Sequence, residues 1–151
     1  MESVSWELPP NIFEYKIILV LSNENFDKIC KKLNKRFDFG YTEGKDFTYN
    51  EPHPGPCIIA NEEKRICAIL LPEWNDNSYD YSVLAHEIVH IITLISGDIE
   101  QTVDNNTTET WAYLMSFYLR VCIDCLNEHI NELETEEKQF RKELQSLGVK
   151  S

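Results

Sequence analysis

The feature that most constrains this chain is a greasy segment broken by charge at one spacing only. Residues 79–96 carry Val83, Leu84, Ile88, Val89, Ile91, Ile92, Leu94 and Ile95, apolar almost all round at helical spacing, which predicts a buried helix. Set into it are His86, Glu87 and His90, in the order His-Glu-Ile-Val-His. Positions four apart on a helix lie about 40° apart around the axis. Both imidazoles therefore leave one side, a turn apart, and a tetrahedral metal ion accepts two nitrogens so placed. Glu87 follows His86 directly, so its carboxylate projects beside the pair, where it can take a proton from a bound water. The polar residues fall on one stripe, Ser82, His86, His90, Thr93 and Gly97, with Glu87 at the margin. Burying two histidines and a carboxylate without partners is costly, and a metal supplies the partner. The competing reading is a chance HExxH whose histidines bond to backbone carbonyls.

Two imidazoles need a third ligand to hold zinc. His53 lies in a proline-rich loop and His129 at the far end of the next helix. Glu109, 19 positions after His90, is the better candidate, because a loop and a returning helix bring its first turn back against the HExxH helix. Asn106 and Glu109 also fit a capping box, in which the glutamate merely closes a helix start. Glu100, in the connector, is the fallback.

The rest of the chain fits one domain. Its 151 residues support one core, and 42% hydrophobic content is too high for disorder. A net charge of −12 argues against a phosphate-binding surface, so no nucleic-acid partner is expected. The best local basic patch, Lys28, Lys31, Lys32, Lys35 and Arg36, reads equally as the solvated face of a short helix, which is favoured. Residues 1–10 are polar and acidic, unlike a secretory signal, and the longest apolar run, 88–95, is too short for a bilayer. Five cysteines in no framework spacing read as reduced thiols of a cytoplasmic protein, with no membrane association.

Residues 3–11 read as an irregular lead-in and 14–22 as a buried strand. Asn23 is the expected cap of a helix over 24–37, and 40–56 is loop-like. Strands at 56–60 and 65–71 form a hairpin through the polar turn 61–64. The HExxH helix is closed by Gly97, and a second long helix runs from 106 or 107 to at least 126. Residues 128–147 turn strongly charged but keep Ile130, Leu133, Phe140 and Leu144, the pattern of an amphipathic C-terminal helix that packs loosely or self-associates. Cys122, Cys125 and His129 share a helix face, where a second metal or, preferably, plain core packing is expected.

The segments VLAHEIVH and TETWAYL together resemble the gluzincin zinc metallopeptidases, and more closely small bacteriophage or prophage proteins carrying VLAHExxH and E-x-x-AYL. The likeness covers residues 65–119. It implies an α+β, zincin-like fold, with a strand and hairpin packed on the HExxH helix, a second long helix and a charged tail. It also implies Zn2+ on His86, His90 and Glu109, with Glu87 activating a zinc-bound water to hydrolyse peptide or protein substrates. Larger gluzincins place an Asp one turn after the ligand Glu, where this chain has Tyr113. That tyrosine could orient an imidazole, stabilise an oxyanion or pack in the core; Tyr118 and Tyr81 are the other oxyanion candidates. The arm 65–71 is the expected sheet edge for an extended substrate. The rival reading is a non-catalytic, zinc-stabilised interaction protein of phage or prophage origin, in the host cytoplasm if phage-encoded, whose tail binds a partner.

Overall fold

The two most apolar strands of the chain lie side by side at the centre of one sheet. A computed structural model describes residues 3–148. In chain order these form β1 (Val4–Glu7), β2 (Lys16–Leu21), α1 (Phe26–Phe37), β3 (Cys57–Asn61), β4 (Ile66–Leu71), α2 (Ser78–Asp98) and α3 (Thr108–Ser146). The fold is α+β, with a four-stranded mixed sheet in the order β1-β2-β4-β3. β2 and β4 run parallel, and each outer strand pairs antiparallel with its neighbour.

Parallel neighbours require a crossover, and α1 lies within it. Strands covered on both faces need apolar side chains on both, hence the unbroken runs KIILVL and ICAILL. Alternation then sorts the residues. Ile17, Leu19, Leu21, Cys67, Ile69 and Leu71 face α2 and α3, meeting Leu84, Ile88, Ile91 and Ile95. Ile18, Val20, Ile66, Ala68 and Leu70 face α1 and meet Ile29 and Leu33. The sheet is thus sandwiched between α1 and the α2–α3 pair.

Several expectations change. The lead-in is a strand: β1 pairs with β2 from Val4–Leu21 to Glu7–Ile18, because Val-Ser-Trp-Glu offers an extended segment beside an otherwise open edge. The first helix starts at Phe26 with Asn25 as its N-cap, two residues later than read from Asn23. The loop 40–56 is not merely surface, since Phe47 within it, together with Phe39 just before it, is buried against the α1 face. Gly97 does not end α2: the helix runs on to Asp98, which Arg65 holds at 3.1 Å, and the left-handed residue is Glu100 at φ 54°. The two C-terminal helices are one helix of 39 residues, because neither glycine nor proline interrupts it. No helix among the described residues is long and apolar enough to cross a membrane.

Candidate functional site

The site is set by how α2 is oriented on the sheet. Asn77 caps the helix, its side chain accepting from Asp80 N–H at 2.8 Å. Asp80, itself buried, accepts from the Asn75 backbone N–H and so ties the acidic loop to the helix start. With Leu84, Ile88, Ile91 and Ile95 turned inward, helical geometry turns Ser82, His86, His90, Thr93 and Gly97 outward, and all five are exposed. The apolar residues do not encircle a buried helix after all. Val89 lies on the exposed side, so the histidines are solvent-facing and the burial argument applies to Glu87 alone.

His86 and His90 converge. Their Nε2 atoms stand 3.0 Å apart, with rings 4.7 Å between centroids and near perpendicular at 76°. Two nitrogens about 2.0–2.1 Å from a tetrahedral zinc stand about 3.3 Å apart, so the pair fits that role within a few tenths of an ångström. Glu87, 6% exposed, occupies the border between this ridge and the packed face. No hydrogen bond or ion pair engages its carboxylate among the described residues. Its charge reaches the outer strand: the Cys57 thiol is pushed up to about 11, first by burial and then by Glu87.

Glu109 is exposed in the first turn of α3. It does not cap that helix. The N-cap is Thr107, without a side-chain cap bond, and Asp104 holds the turn ahead of it, accepting from the N–H groups of Asn106 at 2.8 Å and Thr107 at 3.1 Å. These bonds, that of Asn106 foremost, hold the Asp104 carboxyl below its ordinary range. The capping box with Asn106 is therefore absent, and the Glu109 carboxylate is not used there. Among the described residues, however, no group of three or more His, Cys, Asp or Glu side chains is gathered closely enough to hold a metal ion. The structure brings His86 and His90 together and brings neither Glu109 nor Glu100 to them. The same holds for Cys122, Cys125 and His129: Cys122 is core, its thiol raised by burial, and the His129 ring packs edge-on against Trp6 at 5.8 Å.

The tyrosines separate cleanly. Tyr118 is buried and fully used, donating to Pro9 O at 2.9 Å and accepting from Asn11 Nδ2 at 3.1 Å, so it is a structural anchor. Tyr81 packs at a tilt against Trp74 and donates to Asp76. Tyr113 is 70% exposed, which removes it from the core. His53 accepts from Gly55 N–H at 2.9 Å in the loop ahead of β3, and burial lowers its pKa.

The sheet edge is not where the sequence places it. β4 is central, bonded on both sides, and the edge strands are β1 and β3, of which β3 is the one paired with β4. Sequence reasoning missed a residue here. The Tyr41 hydroxyl donates to Ala60 O at 2.8 Å and accepts from Ala60 N–H at 3.1 Å, filling one outward position of that edge. Alternation makes Ile58 the next outward-facing residue. Nothing local marks Tyr41, since it lies in an irregular segment and its partner is 19 residues away. Comparison with models of known families, with curated proteins and with solved structures gives no match for this chain.

Proposed function

We propose that the chain is a zinc-dependent metallopeptidase of the gluzincin type, in which His86, His90 and Glu109 hold the metal and Glu87 is the general base. One observation carries this reading: two imidazole nitrogens converge at 3.0 Å on the helix whose adjacent residue, Glu87, is nearly buried and bonded to no other described group. A helix built only to pack has no use for that combination. When bound, zinc supplies Lewis-acid polarisation. Glu87 takes the proton of the attacking water on its carboxylate and delivers it to the leaving amine nitrogen. The outer edge of β3 aligns an extended peptide through the Ile58 backbone groups, with α2 packed beneath. Glu109 sits exposed in the first turn of α3, just past the α2–α3 connection, and its approach to the histidine pair is coupled to metal uptake, as metal binding and local folding commonly are.

The rival reading is a non-catalytic zinc-stabilised interaction protein of phage or prophage origin, supported by the charged, exposed end of α3 as a partner-binding segment. Metal content of purified protein separates the cases. We expect about one zinc per chain in the wild type, none in His86→Ala, and a large loss in Glu109→Ala. Glu87→Gln keeps both metal and fold. A wild type that holds zinc but cleaves nothing in a broad peptide library makes the interaction reading the better one. A wild type without zinc removes both.

A further inference from the structure

α3 is longer than anything it packs against. At about 1.5 Å per residue its 39 residues span about 58 Å, against about 31 Å for the 21 residues of α2. Packing on the core ends at Ile130, and residues 131–143 are all exposed. An overhanging single helix of this length is marginal in water on its own. Its apolar residues nevertheless continue the core stripe: Leu126 is buried, Ile130 half-buried, and Leu133, Phe140 and Leu147 are 45%, 60% and 77% exposed. With Leu144 these residues occupy the a and d positions of a heptad pattern, Glu137 filling the one remaining place. Charge is segregated along the same segment. Residues 128–137 hold five glutamates and no Lys or Arg, whereas 138–147 hold Lys138, Arg141 and Lys142 against the single Glu143.

We propose that this overhang is a dimerisation arm, and that two copies of the chain pair through it in antiparallel orientation. Antiparallel pairing sets the acidic half of each arm on the basic half of the other, whereas parallel pairing sets acidic half on acidic half and stacks Glu137 on Glu137 in the seam, against the one flank attraction of Glu136 with Arg141. The register that matches a to d layers puts Leu133 against Leu144 of the second copy and Phe140 beside its Glu137. One flank pairs Glu134 with Arg141 of the second copy. The other faces Glu136 with Glu143, so the arm is short, salt-sensitive and reversible. The apolar stripe, continuous with the core and covered by no other described residue, has its complement in itself.

The test is sedimentation velocity of the full chain from tens to hundreds of micromolar, with a chelator present so that the result is independent of any metal. We expect a concentration-dependent monomer–dimer equilibrium. Phe140→Glu with Leu144→Glu stays monomeric throughout, with unchanged cooperative unfolding of the folded body. Arg141→Glu weakens dimerisation by about tenfold, since two attractive pairs become repulsive. Glu134→Arg combined with Arg141→Glu restores it. A wild type that stays monomeric overturns the proposal. So does recovery by Glu136→Arg with Arg141→Glu in place of the Glu134 swap, because those positions meet only in a parallel pair.

Discussion

The two sides of α2 are built from neighbouring residues and do opposite things. Leu84, Ile88, Ile91 and Ile95 face the sheet, fully or almost fully buried, and meet the inward residues of β2 and β4. Ser82, His86, His90 and Thr93 face solvent, and their largest organised feature is one contact between two imidazoles. The packed side holds the helix in place and the outer side offers donors. Glu87 stands on the line between them. The difference teaches that a pair of side chains does not have to be buried to be positioned. It needs only a neighbouring face whose packing removes the helix's freedom to rotate.

That contrast can be broken by substitution. The largest effect is expected at the border: Glu87→Gln should lower peptide hydrolysis by about 10²–10⁴-fold. Its urea midpoint should stay close to the wild type's. Hydrolysis that survives the change ends the general-base assignment. On the packed side, Ile88→Ala should cost about 2–5 kcal/mol in urea unfolding, since the removed atoms lie in a closed layer. A loss near zero would mean that this face is not held against the sheet.

On the outer side, His86→Ala should change the stability of metal-free protein by no more than about 0.5 kcal/mol, as exposed positions usually do. Yet it should abolish the rise in melting temperature on adding zinc, which for the wild type corresponds to about 2.7 kcal/mol at a hundredfold excess over Kd. Equal melting shifts in both proteins would show that zinc binds elsewhere. Smallest of all, Asp98→Asn removes the Arg65 ion pair at the end of α2. Because that pair is largely solvent-screened, urea unfolding should register about 0–1 kcal/mol. A larger cost would make the helix end, not its packed face, the feature that fixes α2.

Much of this was legible in residues alone. Apolar runs announced β2, β3, β4 and α2 within a few residues, and the His-Glu-Ile-Val-His spacing placed two imidazoles on one ridge before any coordinate. What failed did so for identifiable reasons. β1 is four residues long and gains its pairing only from β2, so no local pattern marks it as a strand. The C-terminal helices merge because a change in charge is not a break in backbone hydrogen bonding. Glu109 reads in the sequence as a metal ligand first and half of a capping box second, and only the folded connector shows that the box is not formed, Thr107 being the N-cap and Asp104 holding the turn ahead of it.

The sequence by itself determined the local geometry: a helix that carries two histidines a turn apart, a carboxylate between them, and a heptad stripe in the tail. Those follow from helical period, which depends on neighbours in the chain. The tertiary structure alone decided which side of α2 meets the sheet, which strand is left at the edge, and how far Glu109 stands from the pair. Those outcomes depend on how separate apolar faces share one core, and the competition among distant surfaces leaves no mark in any single segment.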